Sequence, residues 1–270
     1  MPARIVAVAN QKGGVGKTTT AINLAAALAM AEQRVLLVDM DPQANLTSGV
    51  GLKGQSSASG TSYEALTQDH PDPMALVLQT PVKGLALIPA DRNLTGAEVE
   101  LVMMPERERR LRKLLDRLRD AFDVIFIDTP PSLGLLTLNA LVAADAVLIP
   151  LTCEYFALEG LADLVATLRR IRGSFNPSLD IAGVLLTMYD ERTNLGQQVA
   201  HDIREFFQDR VYNTVIPRNV RLGEAPSHGT PGILYDVKSR GATAYVSLAK
   251  EFMARAPSGQ PPAYTEPHYG

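Results

Sequence analysis

Short, almost continuous apolar runs alternate along this chain with longer segments in which apolar residues recur every three or four positions. Such runs predict strands that are buried on both faces, and the longer segments predict amphipathic helices. The predicted strands are residues 5–9, 34–38, 85–89, 123–128, 182–188 and 211–216, and the predicted helices include 106–122, 194–207 and 239–254. This alternation favours an α/β fold with a single doubly wound, mostly parallel sheet and helices on both faces, in one domain over residues 1–255.

Three segments need a separate interpretation. Residues 53–62 are small and polar and predict a flexible loop, whereas the pattern over 63–83 is too weak to assign. The Pro-rich segment 256–270 predicts a disordered tail. Helix 106–122 carries many arginines, but acidic residues interleave with them, which favours a solvated helix face over a nucleic-acid surface.

Composition and charge limit the possible functions. The formal net charge of the 270 residues is −3 and the pI is about 5.8, which excludes a strongly basic nucleic-acid-binding protein but not a local basic patch. Cys153 is the only cysteine, so no disulfide framework or cysteine-built metal cluster can form within one chain. The first predicted strand begins almost at the N-terminus, and no apolar run approaches the ~18 residues that span a bilayer. We therefore expect a soluble cytoplasmic protein.

The most specific pattern is a strand, a glycine-rich turn and a helix within residues 5–20. The turn contains Gly13, Gly14 and Gly16, and Lys17 and Thr18 follow at the start of the predicted helix. Glycines let backbone N–H groups approach phosphates closely, and the helix N-terminus adds positive potential. Lys17 is therefore predicted to reach the β- and γ-phosphates of a nucleotide, and the Thr18 hydroxyl is predicted to bind Mg²⁺.

This turn departs from the ordinary P-loop at two positions. Gln11 stands where the ordinary pattern has its first glycine, and a second lysine, Lys12, precedes the double glycine. Lys12 alone is weak evidence, because an isolated lysine is usually a solvated surface charge. The alternative of a merely structural turn is a poorer explanation of the strand, glycines, lysine, hydroxyl and helix in this order.

Carboxylates follow two of the predicted strands. Asp39 and Asp41 come after the strand at 34–38, and Asp128 ends the strand at 123–128. Because ligands of open parallel sheets bind beyond the carboxyl ends of the strands, these side chains are placed to meet Mg²⁺ or a water molecule. Asp128 is expected to accept from Mg²⁺-bound water or from the Thr18 hydroxyl. The alternative for Asp39 and Asp41 is that they cap the next turn.

Several motifs together resemble one family. KGGVGKTT at 12–19 resembles the deviant P-loop of the ParA/MinD group of ATPases, in which the additional lysine is a signature, and VDMDPQAN at 38–45 resembles ParA-type ATPases. The segments SLGLLTLNALVAADAVLIPLTCEYFALEG at 132–160 and IPRNVRLGEAPS at 216–227 resemble the Soj-type chromosomal branch of ParA. The resemblance covers nearly all of residues 4–254 and is weakest over 54–84.

The resemblance implies an ATPase that uses ATP and Mg²⁺, with catalysis by Lys12, Lys17 and Asp41. Asp41 would position the attacking water, Thr18 would bind Mg²⁺ directly, and Asp39 and Asp128 would support the metal through water. Lys12 would cross the interface of an ATP-bound homodimer to the nucleotide of the other protomer. The implied ATP-binding residues are Lys12, Gly13, Gly14, Val15, Gly16, Lys17, Thr18, Thr19, Met188, Pro217, Arg218 and Asn219. The last four would lie near the adenine, although ordinary core packing is an equal alternative for Met188.

The resemblance also implies a switch that acts in chromosome or plasmid segregation. The ATP dimer would bind double-stranded DNA without sequence preference, chiefly through Arg192 and Arg221. A ParB/Spo-type centromere-binding protein would stimulate slow hydrolysis and release the dimer from the nucleoid. The alternative for these arginines is an exposed ion pair with Asp190 and with Glu224.

Other classes of P-loop protein remain as alternatives. A MinD-like membrane ATPase would need a lysine-rich C-terminal amphipathic helix, but residues 256–270 contain prolines and no lysine. A nitrogenase-reductase-like enzyme needs two cysteines in each protomer. An ATP-dependent metabolic ligase would lack Lys12 and the segment at 216–227. The sequence leaves open the ATPase rate, the identity of the partner and the nature of the cargo.

Overall fold

The computed structural model describes residues 2–154 and 157–255, and a seven-stranded sheet forms its centre. The spatial order of the strands is β3-β4-β2-β5-β1-β6-β7, and all neighbouring pairs are parallel except β3 with β4. The predicted mostly parallel α/β sheet is therefore confirmed. The strands are β1 Arg4–Val8, β2 Val35–Asp39, β3 Leu78–Gln79, β4 Leu85–Ile88, β5 Val124–Asp128, β6 Ala146–Thr152 and β7 Asp180–Thr187.

Helices cover both faces of this sheet. Side chains alternate between the faces along each strand, so apolar strands need a packing partner on both sides. Ile5 and Ala7 of β1 pack with residues of α3 to α8, whereas Val6 and Val8 pack with α1 and α11. The helices are α1 Lys17–Met30, α2 Asn45–Gly49, α3 Ser62–Thr67, α4 Leu94–Glu100, α5 Arg110–Asp116, α6 Leu135–Ala143, α7 Ala157–Ser174, α8 Asn194–Phe207, α9 Val220–Glu224, α10 Gly232–Tyr235 and α11 Arg240–Ala254.

The strand order positions a crevice at one end of the sheet. β1 lies between β5 and β6, while the chain passes from β1 to β2 on the far side of β5. The helix after β1 lies on one face and the helix after β5 lies on the other. In open α/β sheets, a reversal of this kind opens a ligand-binding crevice beyond the carboxyl ends of the strands.

The predicted helix over residues 106–122 is wrong in its extent. Glu106 has φ +49°, a left-handed conformation that a helix cannot continue through, and α5 begins only at Arg110. Beyond Asp116 the backbone forms tighter turns. There Arg119 donates to the Ala3 carbonyl and to both oxygens of Asp145, which ties the segment to the residues directly before β1 and β6.

The predicted last strand, residues 211–216, does not form. Tyr212 and Ile216 each donate to a carbonyl of β7, but the N–H groups of Asn213 and Thr214 donate to the Glu251 carboxylate at 2.8 and 2.9 Å. Only isolated bridges result, at Val211 and at Pro217. A side chain of α11 thus replaces the strand partner that an apolar pattern predicts.

The weakly patterned region contains structure that the sequence does not reveal. Ser62 begins α3, with Thr61 and Glu64 forming a reciprocal capping box, and β3 pairs antiparallel with β4. The predicted tail at 256–270 lies outside the described residues. Among the helices that the structure describes, none has the length and apolar character needed to cross a membrane.

Candidate functional site

The glycine-rich turn after β1 adopts a conformation that depends on glycine. Gly14 has φ +72° and Gly16 has φ +83°, and Gly16 is the residue immediately before α1. Left-handed residues of this kind suit glycine, since a side chain would clash with the backbone. Successive residues of opposite hand form a concave nest of N–H groups that binds anions, and the N-terminus of α1 adds to the positive potential.

Two polar side chains that the sequence analysis did not single out hold this loop against the sheet. Asn10 is 5% exposed, donates to the Pro150 carbonyl of β6 at 2.8 Å and accepts from the Lys12 N–H at 3.0 Å. The hydroxyl of Thr187, at the end of β7, donates to the Val15 carbonyl at 2.8 Å. The loop is therefore fixed by β6 and β7 before any ligand is present.

The two lysines of the loop lie in different surroundings. Lys17 is 7% exposed, and its ammonium donates to the Lys12 carbonyl at 3.2 Å. Burial lowers the pKa of Lys17, whereas the carboxylates of Asp128 and Asp41 raise it. The ammonium of Lys12 instead pairs with Glu154 at 2.5 Å, near the protein surface. The sequence analysis did not anticipate Glu154, because its partner Lys12 is 142 positions away along the chain.

Asp128 lies directly beside the start of α1. Its Oδ2 accepts from the Thr18 hydroxyl at 2.7 Å, as predicted, whereas its Oδ1 is buried and has no hydrogen-bond partner among the residues that the structure describes. Burial raises the pKa of Asp128 well above its ordinary value, and the Asp39 carboxylate adds to this shift. The two aspartates are paired in register at the ends of β5 and β2. A buried carboxylate oxygen with no partner is a natural place for a cation or a hydrated cation.

Asp39 is fully buried and acts within the protein framework. Its Oδ2 accepts from the N–H and the hydroxyl of Thr47 at 2.9 and 2.7 Å, and its Oδ1 accepts from the Asp41 N–H at 3.1 Å. Burial raises the pKa of Asp39 to about 6, against the opposing effect of the Thr47 hydrogen bonds. Asp39 thus positions the loop that carries Asp41, and Thr47 is a member of the site that the sequence analysis missed.

Asp41 is partly buried, and its Oδ1 accepts from the Gln43 N–H at 2.9 Å. This is the turn cap that the sequence analysis gave as the alternative for Asp41. Its second oxygen receives no hydrogen bond from the residues that the structure describes. The two roles are compatible, because one carboxylate oxygen can fix the turn while the other accepts from water.

The segments predicted to lie near an adenine meet at the end of β7. Met188 has φ +48°, and its side chain lies next to Gly16 of the loop. Tyr189 forms a bridge with Pro217, and the side chain of Asn219 caps α9 by accepting from the Arg221 N–H. The structure therefore brings Met188 and the segment 217–219 to the rim of the same crevice.

The two arginines predicted to bind DNA are both paired within the chain. Arg192 donates to both oxygens of Asp190 at 2.8 and 2.7 Å, although its side chain is 84% exposed. Arg221 donates to Glu224 at 2.9 Å and lies 3.4 Å from Asp236. These are the ion pairs named as the alternative. Exposed ion pairs contribute little free energy, so both guanidinium groups can exchange these carboxylates for other anions.

Known proteins that resemble this chain share its overall length. A family model described as an AAA domain matches residues 3–181. The chromosome partitioning protein ParA of Myxococcus xanthus is 56% identical over 252 residues, which are 93% of this chain and 88% of that protein. The sporulation initiation inhibitor protein Soj of Bacillus subtilis is 54% identical over 251 residues, which are 93% of this chain and 98% of that protein.

The chain belongs to the ParA/Soj family of chromosome-partitioning ATPases. The resemblance that the motifs indicated is thereby confirmed, and as a member of this family the chain is an ATPase. None of these comparisons tests the individual site residues, so their roles stay predictions.

Solved structures support the same fold. Cobyrinic acid a,c-diamide synthase of Mycobacterium smegmatis, solved with an ATP analogue and magnesium, has a TM-score of 0.82 at 39% identity, over 96% of this chain and 97% of that chain. The septum site-determining protein MinD of Pyrococcus horikoshii, complexed with Mg-ADP, has a TM-score of 0.74 at 25% identity, over 92% and 95% of the two chains. The ParA/Soj fold is thus shared by proteins whose names describe different tasks.

Proposed function

We propose that this ParA/Soj family member is a nucleotide switch that binds Mg²⁺ and ATP, dimerises on ATP, and binds DNA without sequence preference as the dimer. Hydrolysis, stimulated by a ParB-like partner, returns it to a monomer that releases the nucleoid. The observation that carries the proposal is the buried Asp128, beside Lys17 at the start of α1. One of its oxygens accepts from the Thr18 hydroxyl, and the other has no partner within the described part of the chain.

The residues present fit Mg²⁺ together with a nucleotide. Within the described residues there is no group of three or more His, Cys, Asp or Glu side chains able to hold a metal ion unaided. Mg²⁺ in nucleotide sites commonly relies on one or two carboxylates, waters and the phosphates themselves. Thr18 would bind it directly, and Asp128 would hold its water shell through the unpartnered Oδ1. Mg²⁺ would neutralise charge on the phosphates during hydrolysis.

Asp128→Asn tests this arrangement by its opposite effects on stability and on binding. Without nucleotide the variant should be about 1–3 kcal/mol more stable near neutral pH, because it removes a buried carboxylate charge. The raised pKa of Asp128 fixes the sign. The folded chain resists ionisation of Asp128, whereas the unfolded chain ionises it readily, so the free energy of unfolding of the wild type falls as pH rises. The stability advantage of Asp128→Asn therefore grows with pH and disappears in acid, where the carboxyl is neutral in both states. Urea unfolding at several pH values measures the effect.

With Mg²⁺ and ATP the order should reverse. The wild type should gain stability on binding, and Asp128→Asn should gain much less. Asp120→Asn is the matched control, since Asp120 is exposed and the same substitution there should change stability by less than about 0.5 kcal/mol. Equal stabilisation of wild type and Asp128→Asn by Mg²⁺ and ATP would remove Asp128 from the metal site.

The proposed dimerisation depends on the exposed side of the glycine-rich loop after β1, where Lys12 lies. The Lys12 ammonium is paired with Glu154 near the surface, whereas the Lys17 ammonium is buried within the chain, so the two lysines are placed for different roles. An ammonium at the rim of one protomer can neutralise phosphates of a second protomer that faces it, as the family resemblance implies. ATP would then join two chains, because each nucleotide would contact both.

Gly13→Val is expected to block ATP-dependent dimerisation while leaving nucleotide binding close to wild type. A Cβ at Gly13 would lie 3.9 Å from the Pro131 Cβ, an ordinary contact, and Gly13 has no left-handed φ. The valine therefore fits within one chain, and its bulk would act only where a second protomer approaches the loop. Sedimentation with an ATP analogue measures dimerisation, and a normal dimer would place Gly13 outside the interface.

DNA binding is proposed for the dimer through the loops that carry Arg192 and Arg221. At a net charge of −3 a single chain should be weakly repelled by DNA, so attraction requires a local patch. Phosphate contacts carry no sequence information, which fits binding along a whole nucleoid. We accordingly propose a cytoplasmic, nucleoid-associated protein.

Co-sedimentation with double-stranded DNA in the presence of ATP, ADP or no nucleotide tests the whole proposal. DNA should be retained with ATP and should be lost with ADP and without nucleotide. DNA retention that ignores the nucleotide would refute the switch. A chain that neither dimerises nor binds DNA with ATP would instead favour a metabolic enzyme, the kind of task named for the Mycobacterium smegmatis structure.

A further inference from the structure

We propose that Glu154 is a positioning residue that holds Lys12 within its own chain, so that ATP-dependent dimerisation has to break an intramolecular ion pair. We call the pair of Lys12 and Glu154 the lysine latch. The inference rests on the proposed function, because it requires Lys12 to leave its own chain for the nucleotide of a second protomer.

The glutamate end of the lysine latch is fixed by the backbone. The Glu154 N–H donates to the Thr152 carbonyl at 2.9 Å, and its own carbonyl accepts from the Ala157 N–H at 2.9 Å. Glu154 thus lies two residues after the end of β6, with its backbone N–H and carbonyl both hydrogen-bonded. Its carboxylate meets the Lys12 ammonium at 2.5 Å, and the side chains are 55% and 42% exposed, respectively.

The backbone of Lys12 is held at the carboxyl end of the same strand, β6. The Lys12 N–H donates to the side chain of Asn10, which is itself bound to the Pro150 carbonyl of β6. The Lys12 carbonyl accepts from Lys17. The N–H and the carbonyl of Lys12 are thus both hydrogen-bonded. Pro150 of β6 anchors the loop through Asn10, and Glu154, two residues after β6, accepts from the ammonium.

On dimerisation, a phosphate would replace the Glu154 carboxylate as the partner of the Lys12 ammonium. Carboxylate and phosphate oxygens are both anionic acceptors for an ammonium group, so Glu154 competes for the Lys12 ammonium with the phosphate of a second protomer. An exposed ion pair contributes up to about a fivefold factor to an equilibrium. A symmetric dimer breaks two latches, which weakens dimerisation by up to about 30-fold. The latch would thereby keep chains apart until ATP is bound.

Glu154→Gln is expected to tighten the dimer without changing nucleotide binding by the single chain. Sedimentation with Mg²⁺ and a non-hydrolysable ATP analogue should give a dimer dissociation constant about five- to 30-fold lower than wild type at low salt. The gain should shrink in about 0.5 M salt, because exposed charges are then screened. A purely structural role of Glu154 would not produce this salt dependence.

Glu159→Gln is the matched control. Glu159 is exposed in the first turn of α7 and carries the same charge near the same edge, but it makes no contact with Lys12. Its dimer dissociation constant should stay within about twofold of wild type. Glu154→Ala repeats the test without an amide, at a side chain exposed enough to tolerate it.

The outcomes separate the lysine latch from the proposed function. A wild-type chain that does not dimerise with the analogue contradicts the proposed function itself. A wild type that dimerises, together with Glu154 variants whose dimers are equal or weaker, overturns the latch alone. Weaker dimers would show that Glu154 contributes a contact across the interface instead.

Discussion

Asp41→Ala is expected to bind ATP with nearly wild-type affinity and to hydrolyse it about 100-fold more slowly or worse, so that ATP dimers accumulate. A carboxylate that orients or accepts a proton from the attacking water contributes factors of this size in the transition state. It contributes little to binding of the substrate, so the loss should appear in kcat. Phosphate release and size exclusion with ATP measure the two effects.

The surroundings of Asp41 support this role. The carboxylate lies at the end of β2, close enough to raise the pKa of Lys17, and one of its oxygens caps the turn at Gln43. The backbone N–H of Asp41 is held by the buried Asp39. These contacts fix the carboxylate at the rim of the crevice and leave its other oxygen to accept from water, since no described residue donates to it.

Asp41→Asn is the control that separates the two functions of the side chain. Its amide oxygen can still cap the turn at Gln43, but an amide group replaces the second acceptor. If both variants are slow, the carboxylate acts on water. Normal hydrolysis by Asp41→Asn together with slow hydrolysis by Asp41→Ala would reduce Asp41 to a turn cap.

The fold was predictable because its strands carry their own signal. β1, β2 and β5 are buried on both faces, and an unbroken apolar run is what such strands require. The contact between Thr18 and Asp128 was predictable for a different reason. Both residues belong to motifs whose chemistry demands that they meet, although they are 110 positions apart.

The failures have a common physical origin in contacts between distant side chains. The segment 211–216 has the composition of a strand, but Glu251 binds its backbone N–H groups in place of a neighbouring strand. Likewise, the helical pattern continues beyond Asp116, but there the chain forms tighter turns and Arg119 binds Asp145. Neither the apolar period nor the local propensity contains information about these partners.

The same limit explains which site residues were missed. No sequence motif assigns Thr47 or Asn10 to ligand binding, yet Thr47 holds Asp39 in place and Asn10 holds Lys12. Their signal in the sequence is only a polar side chain within an apolar neighbourhood. Glu154 has no local signal in the sequence, since its importance arises only from its contact with Lys12, which is 142 positions away.

The double variant Arg192→Glu with Arg221→Glu is expected to form ATP dimers normally and to lose at least about 100-fold in DNA affinity near 0.1 M salt. In a dimer it removes four positive charges from the proposed patch and adds four negative ones. Each lost phosphate contact lowers the salt dependence, so the slope of log affinity against log salt should fall by about 3–4. DNA retention at several salt concentrations measures both quantities.

The structure gives the physical reason for choosing this pair. Arg192, and Arg221 at the second position of α9, follow the bridge between Tyr189 and Pro217 by three and four residues, so the two segments begin at the same place in the fold. Arg192 is paired with Asp190, and Arg221 is paired with Glu224 and Asp236. The arginine side chains are 84% and 55% exposed, and ion pairs of exposed groups are weak enough to be replaced by a polyanion. DNA phosphates would replace these carboxylates when the dimer binds.

Arg92→Glu supplies the matched control for net charge. Arg92 is exposed after β4, towards the other edge of the sheet, and Arg92→Glu changes the net charge as much as either single substitution of the pair, without touching the segments that carry Arg192 and Arg221. It should reduce DNA affinity only slightly, because charges more than a Debye length away are screened. Asp190→Asn should act in the opposite direction, since it frees Arg192 and removes a negative charge beside the bound phosphate. If the double variant retains DNA with an unchanged salt slope, the patch lies elsewhere, and the arginines of α5 and its flanking turns become the next candidates.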